Sequence, residues 1–199
     1  MNWLASIDTV LFDLDGTLTV PVIDFPALRK ALGIAGGASI LHALDALSPH
    51  ERAAKEEVVR KAEMEAALKT RANEGAAELV GWLHERAFAT AIITRNNRDA
   101  AAVTLGLLGL EIAVVLTRES VRQVKPAPEA VTEALRRLGR RPDQSIMVGD
   151  WHDDVAAGKA ASTRSCLITN GRELADYGAD LTLKSPRELL DLLKAAHGR

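Results

Sequence analysis

Short apolar runs alternate with longer amphipathic stretches along this chain. Residues 9–12 (TVLF), 90–94 (TAIIT), 113–117 (AVVLT), 145–148 (SIMV) and 165–169 (SCLIT) are rich in β-branched residues and show little polar alternation. That pattern predicts parallel strands buried on both faces. Residues 181–183 add a short sixth candidate. Between the runs, apolar residues return at helical spacing over 74–86, 99–107, 128–138, 153–161 and 186–196. In the first of these, Ala76, Leu79, Val80 and Leu83 share one face. Pro142 and Pro186 stand at element boundaries, where a residue without an amide donor is tolerated. The βαβαβ alternation predicts an α/β fold, an open parallel Rossmann-like sheet with helices on both faces.

Residues 19–73 break this rhythm. No strand is predicted there; short helices are expected at 25–32 and 38–47 and a long one at 49–72. In the long helix Ala54, Val58, Ala62 and Ala66 form a small-residue stripe at i, i+4 spacing. Its charges alternate, with Glu51, Glu56, Glu57, Glu63 and Glu65 among Arg52, Lys55, Arg60, Lys61 and Lys69. This reads as a solvated helix supported by local ion pairs. About 55 residues with so little apolar content would be marginal alone. The expected organisation is a core domain of residues 1–18 and 75–199, with residues 19–74 inserted after the first strand as a small α-helical cap.

The chain has 199 residues, 47% hydrophobic and 26% charged, with a formal net charge of −2. The apolar content argues against disorder, and the charge provides no basic surface for nucleic acid or acidic membrane. The length suits one domain, or one domain carrying an insertion. The single cysteine, Cys166, excludes an internal disulfide framework and a multi-cysteine zinc site; lying in a predicted buried strand, it reads as a small core residue. The N-terminus has no basic segment followed by an apolar run, and no stretch approaches the roughly 20 apolar residues needed to span a bilayer. A cytoplasmic protein is expected, with no nucleic-acid, membrane or obligate protein partner.

In open α/β sheets, ligands bind beyond the carboxyl ends of the strands. Asp13 and Asp15 follow the first strand, Thr94, Arg95 and Asn96 the second, and Asp150, Asp153 and Asp154 the fourth; Lys125 precedes the 128–138 helix. Clustered carboxylates repel one another, and a hard divalent cation relieves the conflict. An oxygen-only ligand set suits Mg²⁺, which keeps waters and substrate phosphate in its shell. Lys125, Thr94 and backbone amides would supply positive charge and donors to a phosphate. A carboxylate beside a bound phosphate can also act as a nucleophile, forming an aspartyl-phosphate. Gly16 permits a tight turn close to the ligand.

These residues resemble the motifs of the haloacid dehalogenase superfamily. Asp13-Leu14-Asp15-Gly16-Thr17-Leu18 resembles its first motif, Thr94 its second, Lys125-Pro126 its third and Gly149-Asp150-Trp151-His152-Asp153-Asp154 its fourth, in order and over the whole chain. The phosphoglycolate-phosphatase-like branch, with a small helical cap, is the nearest in appearance. The resemblance implies a Mg²⁺-dependent phosphatase acting on a small phosphorylated metabolite. Asp13 would be the nucleophile, and Asp15 the general acid and then the base. Thr94 and Lys125 would hold the phosphoryl group, with Arg95 and Asn96 as adjoining substrate contacts. Asp13, the Asp15 backbone carbonyl and Asp150 would ligate the metal. Asp154 would complete that site from behind, orienting metal-bound water or the lysine. Cap hinges would lie near 19–21 and 73–75.

The sequence departs from the branch at 19–25, at Arg95-Asn96, at Trp151 and at Ala161-Ser162-Thr163, where glycine is usual. No catalytic group is lost, but transfer of the glycolate substrate is weakened. A phosphomutase of the same fold, or a silent phosphate-binding or interaction module, would use the same scaffold. A dehalogenase would need neither Asp15 nor a metal. Asp153 is expected to cap the 153–161 helix. Among cap residues, Arg29, Lys30, His42 and Arg52 read as solvated charges that would otherwise select substrate.

Overall fold

The computed structural model describes residues 2–35 and 39–198. Six parallel strands form one sheet: β1 (Thr9–Phe12), β2 (Ala89–Ile93), β3 (Val114–Leu116), β4 (Ser145–Gly149), β5 (Arg164–Ile168) and β6 (Leu181–Leu183). Their order is β3-β2-β1-β4-β5-β6. The expected open parallel sheet is therefore observed, and the short sixth run is an edge strand. The direction of winding reverses at β1, so the crevice between the ends of β1 and β4 is where such a sheet binds ligands.

Period-two alternation decides which helices cover which face. Val10, Phe12, Ile92, Ile146 and Val148 pack with α4 (Ala76–Glu85), α5 (Arg98–Leu108) and α8 (Pro186–His197). Leu11, Ala91, Ile93 and Met147 pack on the other face with α6 (Glu129–Leu138) and α7 (His152–Ala160). Cys166 is buried in β5, and burial pushes its thiol pKa well up, as suits an inert core residue.

The segment between β1 and α4 carries α1 (Phe25–Leu32), α2 (Ile40–Asp45) and α3 (Pro49–Leu68). Asp24 caps α1 through the Ala27 amide, and Ser48 with Glu51 forms a capping box on α3. The helix expected at 38–47 is shorter at both ends, and Ala38 lies outside the described residues. The long helix stops at Leu68 rather than residue 72, because Ala72 instead bridges Thr19 where the chain enters and leaves the insert. Leu28, Leu32, Ile40, Leu44 and Val59 form a small cluster of the insert's own.

The buried face of α3 does not coincide with the small-residue stripe. Val59, Glu63 and Ala67 are buried, whereas Ala54 and Val58 are exposed. The displacement by one position has a polar cause. Glu63, read from the sequence as solvated, is only 7% exposed. Its carboxylate accepts from Arg118 Nη1 at 2.5 Å and from Asn97 Nδ2 at 2.6 Å. Asn97 is also the N-cap of α5, accepting from the Ala100 amide. α3 is thus keyed to the start of α5 and to the segment after β3 by a charged contact that a search for apolar periodicity passes over.

Candidate active site

Local backbone demands bring the acids together. Asp13 leaves β1 with its amide donating to Val148 O, which ties the end of β1 to β4. Gly16 has φ of 83°, and a Cβ there would lie 2.4 Å from Asp150 Oδ2. Gly149 ends β4, and a Cβ on it would lie 2.1 Å from that of Asp154. Only glycine fits at either place, so both motif loops can approach closely.

One oxygen from each of Asp13, Asp150 and Asp154 lies within 4.8 Å of the others. Lys125, 3% exposed, reaches into this group from the loop before α6. Its Nζ donates to Asp13 Oδ1 at 2.5 Å, to Ile93 O at 2.7 Å, and pairs with Asp154 Oδ1 at 2.7 Å. Asp154 Oδ2 accepts from the Trp151 amide at 3.1 Å. Asp154 therefore performs the helix-capping part expected of Asp153. Asp153 instead pairs with Arg95 at 2.7 Å and with His152 Nδ1 at 3.0 Å. The helix begins at His152 with Trp151 at its N-cap, one residue earlier than expected, so Asp153 lies inside the first turn and Asp154, at the third position, reaches back to the cap amide.

Thr94, buried at the end of β2, accepts the Asn96 amide on its hydroxyl at 3.0 Å. Asn96 Nδ2 donates to Asp15 Oδ2 at 2.7 Å, so this residue orients the second acid. The expected residues Asp13, Asp15, Thr94, Arg95, Asn96, Lys125, Asp150 and Asp154 thus converge on one sheet edge. Trp151, partly exposed, lies between the His152 ring at 5.3 Å and the Arg172 guanidinium at 5.9 Å. A cavity of about 860 Å³ lies beside the site, between α2, α3 and the 118–127 loop. His42, Arg52 and Arg118 line it, but none of the four acids does. Arg52 pairs with Asp45 and Glu56.

Burial and mutual repulsion shape the acids' titration. Desolvation, with the charge of Asp154 added, raises Asp13 to about 6 against the opposing pull of Lys125. Desolvation raises Asp15 to about 7, helped by Asp13 and Glu63. Asp150 is likewise raised to about 7 by burial and by Asp13, despite Arg172. Burial pulls Lys125 down, but Asp13 and Asp154 outweigh it and hold the ammonium charged. Raised acids with an oxygen-only donor set are what a hard divalent cation would neutralise, so these residues fit one.

The three raised carboxyls act in the same direction on stability. Between the ordinary carboxylate value of about 4 and a value near 7, the folded chain binds more protons than the unfolded chain. Stability therefore falls as pH rises across that window. The metal-free protein is expected to melt at a higher temperature at pH 5 than at pH 8, and Mg²⁺ should remove most of the difference. Thermal melts in EDTA and in Mg²⁺ check this; a melting temperature in EDTA that rises with pH would contradict it.

Sequence reasoning did not find Glu63, Arg118 and Asn97, which join the insert to the sheet domain. It also missed Asn73, Asn170 and Arg172, which surround the motif loops. Asn73 Nδ2 donates to Thr17 O and to Asn170 Oδ1, and Asn170 Nδ2 donates to Gly16 O at 2.6 Å. The Asn170-Gly171 pair is a turn signal legible in the sequence; Glu63 carried none.

The family model for haloacid dehalogenase-like hydrolases matches residues 7–162. A haloacid dehalogenase-like hydrolase domain-containing protein of Arabidopsis thaliana is 34% identical, over 86% of this chain and 73% of its own length. The pyrophosphatase PpaX of Halalkalibacterium halodurans is 35% identical over 60% of this chain and 59% of its own. A hydrolase from Pseudomonas syringae of known structure superposes with a TM-score of 0.82 at 24% identity, covering 94% of this chain and 98% of that one. Among the described residues no helix is long and apolar enough to cross a membrane.

Proposed function

The chain belongs to the haloacid dehalogenase-like hydrolase family, and from that premise we propose that it is a Mg²⁺-dependent phosphatase hydrolysing a small phosphomonoester through an aspartyl-phosphate on Asp13. The observation that carries this reading is the placement of Asp13 and Asp15 at the sheet's crevice, with Lys125 bridging Asp13 and Asp154.

In the first step an Asp13 oxygen attacks phosphorus and the bond to the leaving oxygen breaks. Asp15 gives its proton to that oxygen. In the second step Asp15 takes a proton from water as the water oxygen attacks phosphorus, and the bond between phosphorus and the Asp13 oxygen breaks, restoring the carboxylate and releasing inorganic phosphate. A carboxyl raised to about 7 can serve in both directions near neutral pH. Asn96 fixes Asp15 Oδ2 and leaves its other oxygen to carry the proton. Because the Thr94 hydroxyl accepts from the Asn96 amide, its own hydrogen is available to a phosphoryl oxygen. Lys125 neutralises the phosphoryl charge, and Asp154 holds the lysine in place. Arg95, beside Thr94 and partly exposed, contacts the substrate.

Asp13, the Asp15 carbonyl and Asp150 would hold Mg²⁺, with Asp154 behind them. Its contribution when bound is to offset the charge on the phosphoryl oxygens. Residues 19–74 act as the cap over the 1–18 and 75–199 core, excluding water from the first step, with chain crossings at 19–21 and 73–75 as hinges. The reading places the protein in the cytoplasm.

Phosphate release from p-nitrophenyl phosphate and from a panel of phosphomonoesters and pyrophosphate tests this. Release in Mg²⁺ that stops in EDTA is expected, and is expected to be greatest with a monoester. No metal-dependent release from any of them would refute the proposal, and a sugar-phosphate isomer formed without free phosphate would assign a mutase instead.

A further inference from the structure

β5 ends in the turn Thr169-Asn170-Gly171-Arg172, with φ of 54° at Asn170 and 74° at Gly171. The Arg172 amide donates to Thr169 O at 3.0 Å, closing the turn. Positive φ at both central residues is the preference of an Asn-Gly turn of the primed kind. The turn presents two side chains to the acidic site. Asn170 holds the first motif loop at Gly16 O. Arg172 holds the fourth: Nε donates to Thr169 O at 2.9 Å, and Nη2 donates to Asp150 O at 3.0 Å and to Asp150 Oδ2 at 2.8 Å.

Asp150 is therefore enclosed from two sides. Gly16 packs against the carboxylate so closely that no Cβ would fit, and Arg172 takes Oδ2. Asp13 is similarly half-committed, since Lys125 takes its Oδ1. Both oxygens of Asp154 are engaged, one by Lys125 and the other by the Trp151 amide. Among the described residues, Asp13 and Asp150 are each left with one oxygen that accepts no hydrogen bond.

We propose that Arg172 restricts Asp150 to binding a cation through one oxygen, and thereby selects Mg²⁺ against Ca²⁺. This rests on the reading of the acidic group as the phosphatase's metal site. Ca²⁺ takes six to eight oxygens in flexible geometry and profits from carboxylates that bind through both oxygens; Mg²⁺ demands a near-ideal octahedron of single oxygens. A guanidinium holding Oδ2 removes the two-oxygen mode and leaves the one-oxygen mode intact. The planar fork matters, because it engages the Thr169 carbonyl and Asp150 together; a lysine ammonium would act as a mobile point charge and would not hold both.

Calorimetric titration of the metal-free full chain with Mg²⁺ and with Ca²⁺ tests this, using wild type, R172A, R172K and D150N. The readout is the ratio of the Ca²⁺ to the Mg²⁺ dissociation constant, which is independent of turnover. That ratio is expected to fall by about tenfold or more in both R172A and R172K, mainly through tighter Ca²⁺ binding. Charge removal alone would tighten both metals together and would move the ratio in neither. A ratio unchanged in R172K, which keeps the charge and the fold, would overturn the inference. If wild type binds neither cation, or D150N binds both as wild type does, the metal site itself is misassigned and the inference falls with it.

Discussion

Turnover of the Asp13→Asn variant is expected to fall by a factor on the order of 10⁴ or more, with the fold retained. Asparagine matches the carboxylate in shape but cannot form the acyl phosphate, and losing a nucleophile costs nearly the whole chemical acceleration. Stability should move the other way. Asp13 is pushed up to about 6 chiefly by burial, so at neutral pH its ionised form weakens the folded state. Asparagine imitates the protonated form. In EDTA at pH 8 the variant should therefore melt no lower than wild type. Single-turnover assays and melts on the same preparation check both halves; activity near the wild-type level would remove Asp13 from the chemistry.

Lys125→Met should damage both stability and activity. Lys125 is buried, and its ammonium stands between Asp13 and Asp154 while also donating to Ile93 O. Methionine fills similar volume but leaves two carboxylates facing each other without their shared cation. Breaking a buried ion pair from one side costs about 3–5 kcal/mol. For a chain of this size that corresponds to a melting temperature lower by roughly 10 °C in EDTA. Excess Mg²⁺ should recover part of the loss, because it supplies charge to the same carboxylates. Activity should not recover, since the phosphoryl group has lost its fixed cation. An equal melting loss with and without Mg²⁺ would mean that Lys125 stabilises the fold by packing alone.

The two variants bear on one arrangement, and the sequence made most of it legible. Asp13, Thr94, Lys125 and Asp150 are found because each follows an apolar run, or stands in a loop between runs, and a parallel sheet delivers such residues to one edge. The sixth strand and the order of helices follow from the same local periodicities. The long insert helix shows where that reasoning ends. Its small-residue stripe at Ala54, Val58, Ala62 and Ala66 has helical spacing, yet the face it turns inward carries Glu63. A charged residue enters a buried face only when partners await it, and those partners, Arg118 and Asn97, lie far away in the chain. Asp153 is a similar case. Its position favours a helix cap, but the helix starts one residue earlier, at His152, so Asp154 caps instead and Asp153 pairs with Arg95.

By itself, then, the sequence determined the parallel sheet and its helices, and it singled out the acids and the lysine that the fold brings together. Each of these depends on periodicity or on chain order, which are local properties. Only the tertiary structure decided which oxygen of each carboxylate is committed and which is left unbonded, since that depends on donors such as Arg172 and Asn96 arriving from separate strands. It likewise decided how α3 meets α5 and the segment after β3. Hydrogen bonds between residues distant in sequence leave no period to read, because their specificity lies in distances that exist only after the chain has folded.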